Sequence, residues 1–207
     1  MTDDGPGDAP DQPDPGTDTD GPLLYVIGVG GEPATGKSTL MKHVLRWAGA
    51  FEVFNWGLLA GQLYHDEKLA VLGRYGEDER EGTDTLSMAV TDDVEDFLNH
   101  AARNPFDRPF NTVLYEGDRL WSDRFVNHVQ TLPNTRFRGY VLDAPEEDLN
   151  KRHDARGDDQ DETWLKGRRT KYEGWMDRDF IHVLHNEDPD DLDANAATIA
   201  RNAGLIS

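Results

Sequence analysis

The run Gly31-Glu32-Pro33-Ala34-Thr35-Gly36-Lys37-Ser38 fits the spacing G-x-x-x-x-G-K-[ST], the phosphate-binding P-loop. Each residue type in that pattern has a chemical task. Backbone N–H groups of the loop and the following helix N-terminus point at one anion. Lys37 would reach the β- and γ-phosphates, and the Ser38 hydroxyl would ligate Mg2+. Gly31, Thr35, Gly36 and Thr39 complete the expected phosphate cradle. The overlapping run Gly28-Val29-Gly30-Gly31-Glu32-Pro33 begins like a dinucleotide fingerprint, but Pro33 stands where the third glycine is needed. The expected ligand is therefore a nucleoside triphosphate with Mg2+, rather than NAD.

Two further clusters can serve phosphoryl transfer. Val113-Leu114-Tyr115 runs into Glu116-Gly117-Asp118-Arg119, an apolar strand ending in carboxylates. Ser38 with Glu116 or Asp118 would organise Mg2+, and Asp118, or Asp84, would take the proton of the attacking hydroxyl. Farther on, Thr163 to Lys171 holds four basic groups and no acid. Arginine supplies a planar fork to migrating and leaving phosphates, so residues 152–171 read as a lid carrying Arg152, Arg156 and Arg168 over the triphosphate. The same stretch also fits a solvated helix with charge pairs. Residues 57–88 form the expected acceptor side, with Trp56 at its border and Tyr64, Arg74, Tyr75 and Asp84 within it. A cap by Thr83, Asp84 or Thr85 at the following helix is the plainer use of that segment, and Arg119 is expected as a further substrate contact. His185-Asn186 is expected to border the nucleotide base. The histidines show no metal spacing.

The elements that would position these residues follow from hydrophobic patterning. Strands are expected at 23–29, 51–56, 112–116, 137–142 and 180–184. Helices are expected at 39–48, 86–103, 122–131, 145–154 and 188–202. A further short strand at 68–75 reads as an insertion between the second and third core strands. Alternating strands and helices imply an α/β fold, a three-layer α/β/α sandwich on a five-stranded parallel sheet. Ligands of such sheets bind beyond the carboxyl ends of the strands, where the clusters above fall.

Composition narrows the remaining classes. Residues 1–22 are rich in Asp, Pro, Gly and Thr, without Lys or Arg, and read as a disordered acidic tail ahead of one domain at 23–207. The tail has no apolar core of a signal peptide, and no segment is long and apolar enough to span a membrane. A cytoplasmic location is expected. The chain has no cysteine, which excludes disulfides and thiolate chemistry. Net charge is -20, and the acids outside the tail still outnumber the bases by 34 to 21. Such a balance argues against a polyanionic partner, or reflects adaptation to concentrated salt. Asn150-Lys151-Arg152-His153 lacks the Asp of the guanine-reading N-K-x-D motif, which disfavours a GTP switch.

Together these residues resemble the P-loop kinase superfamily, in its nucleoside and nucleotide kinase branch, over residues 23–207. A closer likeness is to phage-encoded kinases that phosphorylate 5-hydroxymethylpyrimidines in DNA. It is carried by Gly31–Leu40, Phe54-Asn55-Trp56-Gly57, Leu72-Gly73-Arg74-Tyr75, Gly82-Thr83-Asp84-Thr85-Leu86-Ser87-Met88, Glu116-Gly117-Asp118-Arg119-Leu120 and Trp164-Leu165-Lys166-Gly167-Arg168. The resemblance implies a lid-bearing, nucleotide-kinase-like fold and transfer of the γ-phosphate of ATP to 5-hydroxymethyluracil in DNA, in a phage-infected host. The target base would leave the stack, held by Trp56, Tyr64 or Tyr75. Thr85 stands where those kinases often carry Arg. The alternatives are a kinase of a small nucleoside or nucleotide, and an ATPase switch or binding module.

Overall fold

The computed structural model describes residues 21–76, 82–156 and 162–207. The expected tail, apart from Gly21 and Pro22, lies outside the described residues. So do residues 77–81 of the acceptor segment and 157–161 of the lid.

The chain begins with β1 (Leu24–Gly31), the P-loop and α1 (Lys37–Leu45). Three strands follow: β2 (Glu52–Trp56), β3 (Leu59–Tyr64) and β4 (Leu69–Leu72). A 3-10 turn (Thr83–Thr85) leads to α2 (Val90–Arg103), β5 (Thr112–Glu116), α3 (Asp123–Gln130) and β6 (Thr135–Asp143). The last elements are α4 (Glu146–Arg156), α5 (Glu162–Met176), β7 (Ile181–His185) and α6 (Pro189–Asn202).

One sheet has the order β2-β3-β4-β5-β1-β6-β7. β4, β5, β1, β6 and β7 are mutually parallel, while β3 runs antiparallel to both β2 and β4. The five-stranded parallel sheet is therefore present, extended at one edge by a hairpin. Strand β1 is central, and its side chains alternate between two cores, as the period of two requires. Leu24 and Val26 join α2, α3 and α5 on one face, through Val94, Phe125 and Tyr172 among others. Ile27 and Val29 join α1 and α6 on the other, through Leu40, Val44 and Ile199. This is a three-layer α/β/α sandwich of the P-loop type.

The structure corrects one part of the sequence reading. The run 51–56, expected as the second core strand, is the outer antiparallel edge. The run 68–75, expected as an insertion, supplies β4, which pairs in parallel with β5. The reason is burial. All four residues of β4 are buried, whereas β2 exposes Glu52, Val53 and Asn55. Only a continuous apolar run suits a strand covered on both faces. The strand β3, with Gly61 facing Phe54, was not anticipated. The helix expected from Leu86 begins at Val90, because the segment before it is spent on the 3-10 turn.

Local signals fix several helix ends. The Ser122 hydroxyl accepts from Phe125 N at the start of α3. Asp188 and Asp191 form a reciprocal capping box at α6, with Pro189 in its first turn. Among the described residues no helix is long and apolar enough to cross a membrane.

Candidate active site

The P-loop leaves the C-terminal end of β1 and turns into α1. Gly36 is in the left-handed region (φ 99°) at the helix N-cap, and its carbonyl accepts the first helical bond, from Leu40 N at 2.8 Å. A Cβ at Gly31 (φ 143°) would lie 2.5 Å from the Leu142 carbonyl of β6. Only glycine allows this backbone so close to its neighbour strand. Within the loop, Thr35 Oγ1 donates to Glu32 O at 2.9 Å. The Lys37 ammonium donates to the carbonyls of Gly31 (2.9 Å) and Glu32 (2.8 Å). It therefore folds back along the loop that a phosphate would fill. Thr39 is exposed in the first turn of α1.

Glu116, at the end of β5, is 2 % exposed and accepts from the Ser38 hydroxyl at 3.3 Å. Parallel pairing of β1 and β5 brings this about, since Val29 is in register with Glu116. The buried Thr83 hydroxyl donates to Glu116 O at 2.7 Å, and Gly82 lies so close that a Cβ there would meet the Glu116 carboxylate. No group of three or more acids and histidines suited to a metal occurs among the described residues. A hydroxyl with one buried carboxylate is the sparse protein donor set that Mg2+ takes when phosphates and water complete its shell. Ser38 and Glu116 are the residues that could hold such an ion.

Asp118 is held by helix α5. Its Oδ2 pairs with Arg168, and its Oδ1 accepts from Lys171 (2.6 Å) and the Tyr172 hydroxyl (3.0 Å). Burial pushes this carboxyl up. The Lys171 hydrogen bond, the charges of Lys171 and Arg168 and the Tyr172 hydroxyl together outweigh it, so its pKa lies below the ordinary carboxylate value. A depressed folded-state pKa contributes stability that is present above the unfolded value and is lost as pH falls through the folded one. Asp118→Asn is therefore expected to flatten the acid limb of stability below the ordinary carboxylate range. Thermal unfolding at stepped pH reads this, and an acid limb identical to wild type would contradict it.

The neighbouring residues link the Gly82–Met88 segment to the end of β5. Asp84 Oδ1 accepts from Asp118 N at 3.1 Å. Arg119 donates to Asp84 O at 3.0 Å and also contacts the Met88 sulfur. On the opposite flank, Arg152 donates to Ala34 O (3.3 Å), Thr35 O (3.4 Å) and Asn186 O (3.1 Å). The buried Asn186 amide donates to Thr35 O at 2.6 Å. Arg152 and Asn186 hold the carbonyl side of the P-loop. Arg169 Nε donates to Glu32 Oε1 at 3.3 Å and its Nη1 pairs with Glu146 at 2.9 Å. Burial raises the pKa of Glu32, against the opposing charge of Arg169.

The structure thus gathers Gly31, Thr35, Gly36, Lys37, Ser38, Asp84, Glu116, Asp118, Arg119, Arg152 and Arg168 at one end of the sheet. Arg156 ends α4, but its side chain lies outside the described residues. Arg74 is exposed and Tyr75 half-buried just beyond β4, beside the Gly82 bridge. Two expected aromatic contacts fall elsewhere. Trp56 is on the edge strand, three strands from β5. It packs on Phe97 and His100 and donates to Asp96 at 3.0 Å. Tyr64 is buried beside Leu69, in register with Thr112 at the opposite end of the sheet, and donates to Gln62 at 3.0 Å. Sequence reasoning missed Glu32, Thr83 and Tyr172 as site residues. Glu32 and Thr83 stand inside quoted segments, the P-loop and Gly82–Met88, whereas Tyr172 carried no signal.

Compared with known proteins, the chain matches no family model and no curated protein. Among solved structures it is similar to an unliganded sugar kinase from Janibacter sp. HTCC2649, with 16 % identity over 90 % of this chain and 99 % of that one, at a TM-score of 0.49. It is also similar to a gluconokinase from Sinorhizobium meliloti 1021, with 14 % identity over 87 % of this chain and 96 % of that one, at a TM-score of 0.47.

Proposed function

We propose that the protein is an ATP-dependent phosphotransferase acting on a hydroxyl group of a small molecule. One observation carries this: the P-loop with Lys37, the Ser38–Glu116 pair and the cations of α5 converge at the carboxyl ends of β1 and β5. Mg2+ held by Ser38 and Glu116 would supply charge neutralisation to the transferring phosphates. In the reaction the acceptor oxygen bonds to the γ-phosphorus, the bond to the β–γ bridging oxygen breaks, and ADP leaves. Lys37 stabilises the charge spread over the transferring group. The acceptor proton passes to a carboxylate. Asp84 suits that role better than Asp118, whose two oxygens are already taken by Arg168, Lys171 and Tyr172.

A small acceptor is favoured by the charge arrangement. Arg168 and Lys171 pair with Asp118, Arg169 with Glu32 and Glu146, and Arg124 with Asp92 and Glu95. Cations spent on the chain's own acids do not neutralise a nucleic-acid backbone. A second reading, transfer to 5-hydroxymethylpyrimidines in DNA, draws on a different observation. Two of the segments on which that resemblance rests, Gly82–Met88 and Glu116–Leu120, touch directly through Thr83, Asp84 and Arg119.

The test is incubation with Mg2+ and γ-labelled ATP at low and molar salt. Acceptors are free nucleosides, monophosphates, sugars, hydroxy acids, and unmodified and hydroxymethylated DNA. Label on a small molecule, with far less loss at high salt than a polyanionic acceptor would show, is the expected result. Label on hydroxymethylated DNA alone establishes the second reading. Phosphate release with every acceptor unlabelled replaces both with an ATPase.

A further inference from the structure

The α5 cations and the arginines beside the Gly82–Thr85 turn differ in their partners. On the donor side, the α5 cations Arg168, Arg169 and Lys171 each have a carboxylate partner. On the acceptor side, Arg119 and Arg74 flank the Gly82–Thr85 turn, and among the described residues neither has one. Arg74 follows β4 and exchanges backbone hydrogen bonds with Gly82. Arg119 is half-buried. One arm of its fork donates to the Asp84 carbonyl, the other meets the Met88 thioether, and its Nε is buried with no partner.

That pattern is not a shortage of acids in a chain with 41 of them. Asp84 sits beside Arg119, yet it gives the guanidinium only its carbonyl and turns a carboxylate oxygen to Asp118 N. A partly desolvated guanidinium left with a carbonyl and a thioether is poorly compensated. Thioether sulfur is a weak acceptor, and Met88 is 83 % exposed, so it is easily displaced. The planar fork of arginine matches a carboxylate or phosphate with two parallel hydrogen bonds.

We propose that Arg119 binds an oxyanion of the acceptor, with Arg74 adding positive charge on the same side. The substrate is then a hydroxyl compound that also carries a carboxylate or phosphate group. This rests on the phosphotransferase reading and names the acceptor class within it.

The test first fills the donor site with ADP and Mg2+, then adds inorganic phosphate as the probe and follows thermal unfolding. Phosphate should raise the melting temperature of the wild type and of Met88→Ala, but not of Arg119→Gln. No rise in the wild type, or an equal rise in Arg119→Gln, overturns the proposal. If ADP and Mg2+ themselves give no stabilisation, the phosphotransferase reading fails first and this proposal with it. A turnover arm pairs acceptors: a hydroxy acid with its amide, a sugar phosphate with its sugar, and a hydroxymethylated oligonucleotide with its nucleoside. The anionic member should be preferred by about 100-fold or more in kcat/KM, since a site built for a polar group rejects the analogue lacking it. The pair showing the preference identifies the oxyanion as carboxylate, phosphate monoester or nucleic-acid phosphate. Arg119→Gln should raise KM for the anionic member about tenfold or more, and by clearly more than for the neutral one. Equal use of both members, or equal loss on both, contradicts the assignment.

Discussion

Replacing Lys37 with alanine is expected to lower phosphoryl transfer by about 1,000-fold or more, the scale on which a cation at the transferring group acts. That corresponds to about 4 kcal/mol of transition-state stabilisation. The fold should survive. The Lys37 ammonium donates to the loop carbonyls of Gly31 and Glu32, and the side chain is half-buried rather than in the core. Exchange of such bonds for water changes stability by about 1 kcal/mol. The measurements are kcat at saturating ATP and the melting temperature of the same preparation. A folded variant that turns over near the wild-type rate would contradict the assignment of this loop.

Glu116→Gln is expected to have the next largest effect, a fall in kcat/KM of about 100-fold or more, because metal-borne charge stabilisation is worth several kcal/mol. The amide keeps the shape of the side chain and still accepts from Ser38, so the change is mainly one of charge. The diagnostic readout is metal dependence. Half-maximal activity should require a higher Mg2+ concentration than in the wild type, and Ser38→Ala should shift it in the same direction. A variant of reduced activity with unaltered Mg2+ dependence would mean that Glu116 only supports the turn at Gly82 and Thr83.

The parts of this site that are local in sequence were legible there. The P-loop, β1, α1 and the acids after β5 are each a contiguous pattern with a mechanism attached. The parts that depend on pairing across the chain were not. The runs at 51–56 and 68–75 are both apolar and of strand length, and choosing which one lies against β5 needs the third dimension. The continuous Leu69-Ala70-Val71-Leu72 was the better guide to a strand buried on both faces, as against the alternating exposure of β2. Aromatic residues misled for a related reason. Trp56 and Tyr64 have the right rings for holding a base, but the same rings fill a core or an edge. Lys171 and Tyr172 meet Asp118 across more than fifty residues, and nothing at either position announces the partner. The α5 cations were visible as a basic tract, and their carboxylate partners were not.

Recovery of label from the γ-phosphate of ATP in an organic phosphate product, compared between the wild type and Lys37→Ala, tests the central claim most directly. A Mg2+-dependent, Lys37-dependent phosphate ester is the predicted result. Label found only as inorganic phosphate, or an ester formed equally well without Lys37, would contradict it.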